Sequence, residues 1–237
     1  MIKKNTDDRA KIKRRLGDLS FTLFAAIIIP ASYCAYGLKG LATLAFAFFL
    51  PLYVLRLIVW SFWSRLRPFL NAKLNPRAWT VLTFCIWGGL AILILVLAPS
   101  TLLKTGKVSL PTWAQIAGLL IAAGGLMMAL WAQWLLGLQT TILTTRIFDQ
   151  EKEDDPKVIA TGPFALVPHP IFVGEWLTML GCFLLTEQIS LLGLLVVALL
   201  TDAFAAKGEE KDLQARFGKE YQAYRSKFPS LFRKRND

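Results

Sequence analysis

The sequence predicts an all-α, polytopic transmembrane helical protein. The 237-residue chain is 55% hydrophobic and only 18% charged. Its apolar residues come in long uncharged blocks: no charged side chain occurs between Asp18 and Lys39, from Ala78 to Leu103, or from Val108 to Thr145. Blocks of about 18 or more apolar residues are long enough to span the hydrocarbon core. None of them carries the polar stripe of a soluble helix. Backbone groups in lipid must be bonded within the segment, so the blocks are helices.

About six hydrophobic segments follow from this reading: 19–38, 40–64, 78–98, 112–138, 172–186 and 188–201. The chain divides into a basic arm (1–18), a four-helix transmembrane region (19–138) and a C-terminal region (139–237). The start has a basic front, an apolar run and Cys34, but Tyr33 stands where lipoprotein processing needs a small residue. It reads as a retained first span. The last two segments are short and separated only by Glu187 and Gln188, which suggests a tight helical hairpin. Cys34, Cys85 and Cys182 are isolated inside apolar blocks, which points to neither a disulfide framework nor a metal site.

Orientation follows from the basic residues. The arm carries seven, the loop 65–77 four, the segment 139–171 three and the tail from Lys207 nine, against only Lys39, Lys104 and Lys107 on the other side. Both termini are therefore expected in the cytoplasm. The net charge of +11 is explained by this bias and by attraction to anionic lipid, so nucleic-acid binding is rejected. Arg56, inside the second segment, is expected to snorkel to the interface; the sharper reading is an anion-binding charge in a cavity. The acidic run DQEKEDD (149–155) reads as a solvated loop.

Polar residues concentrate beside the membrane in residues 160–229. The single histidine, His169, lies between Pro168 and Pro170, which push Val167 and His169 into extended geometry and leave the imidazole projecting. Glu175 stands early in an apolar helix, where a carboxylate is costly unless it faces a polar cavity or the interface. Glu209 and Glu210 sit just beyond the last span; if the hairpin is tight, they lie near His169. Leu213, Phe217, Tyr221, Tyr224 and Phe228 describe one helical face, interrupted at Gly218.

At these residues the chain resembles the membrane methyltransferases typified by isoprenylcysteine carboxyl methyltransferase, some of which methylate phospholipid head groups. The matching residues are Gly162-Pro163-Phe164, His169-Pro170, Phe172 and Gly174, then Glu209-Glu210, Leu213, Phe217-Gly218, Tyr221, Tyr224 and Pro229. The resemblance implies S-adenosylmethionine as methyl donor and a lipid or lipidated small molecule as acceptor. It also implies a cofactor site formed by Gly162, Pro163, Phe164, Val167, His169, Pro170, Phe172, Gly174, Glu209, Glu210, Tyr221 and Tyr224. A carboxylate accepts hydrogen bonds from ribose hydroxyls or an ammonium group, and the faces of Tyr221, Tyr224 or Trp176 favour a sulfonium. Methyl transfer is a displacement governed by alignment, so it needs no metal or covalent nucleophile.

The family's arginine before His-Pro is Pro168 here, and its tyrosine after Gly-Pro is Phe164. These departures leave the acceptor and the catalytic residues open, with Glu175 and Arg225 as candidates and Arg146 as a further cation. Two rival readings stand beside this one. An NADPH-dependent membrane reductase of the sterol-reductase type is suggested by Gly174-Glu175-Trp176, and a non-catalytic protein that retains the scaffold is suggested by Pro168.

Overall fold

The computed structural model of the chain describes residues 33–34, 37–38, 40–101, 106–137 and 158–228. The basic arm, nearly all of the segment 19–38, Arg146, the run 149–155 and Pro229 lie outside the described residues. What is described is helical: α1 (Gly40–Ser61), α2 (Trp63–Lys73), α3 (Pro76–Thr101), α4 (Thr112–Leu136), α5 (Pro170–Thr186), α6 (Ile189–Phe217) and α7 (Lys219–Arg225). A short 3-10 turn, Gly162–Ala165, precedes α5. No strand occurs among the described residues. Helices α1, α4 and α6 are long and apolar enough to cross a membrane; α5 is apolar but shorter.

Two expectations need correction. The basic stretch read as a loop over 65–77 is mostly α2, whose Trp63, Leu66 and Leu70 recur at helical spacing and pack on Trp79 of α3. The break falls at Leu74 and Asn75, where the Asn75 side chain accepts a hydrogen bond from the Ala78 amide (2.8 Å) ahead of Pro76. The last apolar segment does not end at Thr201 either. α6 runs on through Glu209 and Glu210 to Phe217, because Lys, Glu and Gln sustain a helix as well as leucine does. It stops at Gly218, whose φ of 51° lies in the left-handed region, and α7 begins there.

The core forms where α1, α5 and α6 meet. Ala42, Phe46, Phe49 and Tyr53 of α1 pack with Met179 of α5 and with Leu191, Leu194 and Ala198 of α6. These positions recur every three or four residues, so each helix contributes one stripe. Continuing each stripe brings up a charge: Arg56 after Tyr53, Glu175 between Phe172 and Met179, and Asp202 between Ala198 and Ala205.

α4 joins α5 along a seam of small residues. A Cβ at Gly174 would stand 2.6 Å from the Gly125 carbonyl and 2.9 Å from the Ala129 Cβ, and one at Gly118 would stand 2.7 Å from Leu184. Gly181 likewise abuts Ala122 and Gly118. Helices pressed this close gain dispersion contact that lipid tails do not replace. At the far end of α5, Glu187 turns the chain in a left-handed conformation (φ 63°). Its carboxylate accepts from the Leu110 amide (2.9 Å) and the Gln115 side chain (3.0 Å), which hold its carboxyl below the usual range. The residues entering α4 are thereby tied to the α5–α6 turn.

Replacing Gly181 with Leu is expected to force α4 and α5 apart at a cost of roughly 1–3 kcal/mol or more. Thermal unfolding in detergent, followed by circular dichroism, measures this; an unchanged midpoint would contradict the seam.

Candidate functional site

The turn before α5 is shaped by its glycine and prolines. Gly162 adopts φ 59°, and a Cβ there would meet Leu135 and Trp131 at the end of α4 (2.9 and 3.2 Å). Pro163 is buried at the start of the 3-10 turn, and the Leu166 and Val167 amides both donate to its carbonyl. His169 then precedes α5 as its capping residue with φ −124° and ψ 67°, outside the extended region expected from the flanking prolines, and Pro170 opens the helix with the φ it already prefers. The imidazole therefore projects from the helix start.

α6 brings the acidic pair to it. His169 Nδ1 lies 3.3 Å from Glu209 Oε2, and Nε2 lies 3.5 Å from Glu210 Oε1. The second contact is outside hydrogen-bond geometry, so Nε2 is a buried polar atom that is ion-paired but makes no hydrogen bond. Arg225 of α7 donates from Nε to Glu210 Oε1 (2.9 Å). Gly208 lets this part of α6 lie against the Trp60 ring of α1, where a Cβ would stand 2.5 Å from the indole.

α7 fastens the turn from its other side. Tyr224 donates its hydroxyl to the Phe164 carbonyl (2.8 Å), and the Val158 amide donates to Glu220 (2.9 Å). Tyr221 and Tyr224 are both buried. Burial pushes the Tyr224 phenol up to about 12, and burial with the nearby Glu210 charge raises Tyr221 as well, so both keep their protons as donors.

Burial by itself would disfavour the His169 imidazolium. The close contact with Glu209 and the negative charges of Glu209 and Glu210 outweigh that and hold its pKa up to about 9. The contribution to stability is fully present below the ordinary imidazole pKa and is lost as pH rises through about 9.

One turn deeper lies a second network that the sequence reading missed. Arg56 Nη1 and Nη2 donate to the two carboxylate oxygens of Glu175 (2.9 and 3.0 Å), and Nη1 also donates to Asp202. The Tyr53 hydroxyl donates to Glu175 (3.4 Å), and the Trp176 indole donates to the other oxygen of Asp202 (2.8 Å). Arg56 is therefore turned inward: its side chain is 13% exposed, against 7% for Glu175 and 0% for Asp202. The snorkelling expectation is corrected, because two buried carboxylates offer the guanidinium more than interfacial water does. Trp176, considered above as a face for a sulfonium, has its indole N–H committed here. The missed signal was Asp202, a third intramembrane charge on a buried stripe, which needs the other two.

The structure brings together most of the expected cofactor residues: Gly162, Pro163, Phe164, Val167, His169, Pro170, Glu209, Glu210 and Tyr224, with Tyr221 packed beside Tyr224. Phe172 joins them by stacking on His169 (5.3 Å between ring centroids, 7° between planes). Gly174 instead serves the α4–α5 seam. The candidate catalytic residues are both held in ion pairs, Glu175 by Arg56 and Arg225 by Glu210.

Residues 113–220 match a family model described as phospholipid methyltransferase. The matched stretch runs from α4 into α7 and includes the His169 turn, Glu209 and Glu210, so the similarity takes in both halves of the site. The match starts well before the motifs read above, at α4, and stops just short of Tyr221. No curated protein and no solved structure gives a match. This partial similarity and the apolar helices fit a membrane methyltransferase.

A solution NMR titration of the one imidazole in the chain is expected to show a midpoint near 9 rather than near 6.5. A midpoint at the ordinary value would contradict the Glu209–His169–Glu210 arrangement. Arg56→Met, which strands two buried carboxylates, is expected to cost about 3–5 kcal/mol or to prevent folding, read from unfolding in detergent.

Proposed function

We propose that the chain is an integral membrane methyltransferase that moves a methyl group from S-adenosylmethionine to a lipid-like acceptor, a carboxylate or an amine, at the cytoplasmic membrane face. The observation that carries this reading is the meeting of His169 with Glu209 and Glu210 inside the family-matched stretch. The match to a phospholipid methyltransferase model favours a phospholipid head group as acceptor. The Lys/Arg bias supports a multi-pass chain with both termini cytoplasmic, which sets the His169 end of α5 on that side.

The residues present suit the cofactor. His169 Nε2 is a buried polar atom that makes no hydrogen bond, and Glu209 and Glu210 are acceptors for hydroxyl or ammonium groups. The Tyr221 and Tyr224 rings offer negative faces to a sulfonium. When bound, S-adenosylmethionine supplies a methyl group activated by a positive sulfur. His169, Glu209 and Glu210 would hold its polar groups, and the backbone over 162–167, with Pro170 and Phe172, would wall it in.

The remaining contribution of the chain is alignment. Well-oriented reactants gain on the order of 7–11 kcal/mol over free encounter, and a displacement needs little else. Arg225 holds Glu210 and Glu175 holds Arg56, so both candidates act here by fixing neighbours. In this reading the exposed apolar surface of α4, including Trp131 and Trp134, is where an acceptor enters from the bilayer.

The full chain purified in detergent is expected to bind S-adenosylmethionine saturably, with the affinity lost in His169→Ala and in Glu210→Ala. Isothermal titration reads it. Saturable binding of NADPH instead would assign the chain to the reductases, and binding of neither would assign it to scaffold proteins without catalysis.

A further inference from the structure

Phe172 belongs to both networks described above. Its ring takes the Arg56 guanidinium at 4.5 Å from the centroid, and it stacks on the His169 imidazole at 5.3 Å. It is buried, packed with Ala205 and Ala206 of α6 and with Trp60 of α1. Arg56 in turn has no freedom, because three of its hydrogen bonds run to carboxylates on two other helices. A planar cation fixed by three bonds holds the ring against it, and that ring bounds the imidazole. Arg56 lies upstream of the stretch that matches the family model, so nothing in that match gives it a place in the site.

We propose that Arg56 is a positioning residue for the methyl-donor site, acting through Phe172 to hold the His169 imidazole in line with Glu209 and Glu210. This rests on the reading that His169 meets the cofactor. The imidazole has few other restraints. It sits before the first turn of α5, and its side chain makes no capping hydrogen bond to that helix. Glu210 is itself drawn toward Arg225. Stacking on a ring so held fixes the plane of the imidazole between the two carboxylates.

The charged and titratable groups around His169 are Glu209 and Glu210 from α6, with Arg225 and Tyr221 of α7 beside Glu210. Beyond Phe172 stand Arg56 of α1, Glu175 of α5 and Asp202 of α6. Positioning and direct charge make different forecasts for Arg56→Lys. Lysine keeps the cation and loses the planar fork and the flat contact with the ring. If charge alone matters, His169 titrates as before. If Arg56 positions the ring, the imidazole loosens from Glu209 and Glu210 and its midpoint falls toward the ordinary value.

The test follows the single imidazole resonance of the full chain in detergent across pH, in the wild type, Arg56→Lys and Phe172→Leu, with helical content measured alongside. The midpoint is expected to fall by at least about half a pH unit in both variants at unchanged helical content. Affinity for S-adenosylmethionine is expected to weaken about three- to thirtyfold. A wild-type midpoint in Arg56→Lys overturns the proposal, whatever Phe172→Leu does. Should Arg56→Lys lose helical content, R56Q/D202N is read in its place; it preserves the formal net charge of the cluster, and the same fall is expected. Failure of the wild type to bind S-adenosylmethionine would sink the functional reading, while the imidazole titration would still decide whether Arg56 positions His169.

Discussion

One guanidinium shared by two buried carboxylates sets the register of the helices that build the site. Arg56, Glu175 and Asp202 stand on the buried stripes of α1, α5 and α6, and none of them is tolerable in an apolar interior without the others. Once they meet, the levels of the three helices are given. Glu209 lies seven residues beyond Asp202, two turns along the same face of α6 and about 10 Å further on. His169 lies one turn before Phe172, which lies one turn before Glu175. Bringing Glu175 and Asp202 to one cation therefore brings His169 to the acidic pair. Tyr53 and Trp176 take up carboxylate lone pairs that Arg56 leaves, so the network is closed as well as centred.

Around this centre the other elements act as braces. The small-residue seam holds α4 on α5 so closely that backbone meets backbone, and α4 in turn receives the Gly162 turn against Trp131 and Leu135. α7 closes the opposite side with the Tyr224 hydroxyl on the Phe164 carbonyl and Arg225 on Glu210. The turn carrying His169 is thus held from both sides by elements that do not contribute to the charge network. A site assembled in this way suits alignment chemistry, in which the protein contributes geometry rather than a nucleophile.

Much of this is legible in the sequence. Uncharged blocks longer than a bilayer core announce helices, and His-Pro with a distant Glu-Glu announces two halves of one site. The boundaries are less legible. Residues 65–77 are basic, so they read as a loop, yet Trp63, Leu66 and Leu70 carry a helical period that packs on Trp79. Hydropathy sets the end of α6 at Thr201, although charged residues with good helix propensity continue the helix to Phe217. The Arg56 network is least legible, because its partners are more than a hundred residues away in the chain and each charge alone has an innocent interfacial explanation. Taking Arg56, Glu175 and Asp202 together, as charges on core-facing stripes, is the available clue. Gly174 is legible as a special position, but its reason is helix contact.

In the proposed function, a methyl donor is held where His169 meets Glu209 and Glu210. With one imidazole in 237 residues, the probe is already in place. The most direct measurement adds S-adenosylmethionine to the full chain in detergent at fixed pH and follows the His169 resonance. A saturable displacement of that resonance, absent with NADPH, is the expected result. Saturable S-adenosylmethionine binding that leaves the resonance unmoved, or displacement by NADPH alone, would rule out a methyl donor at His169.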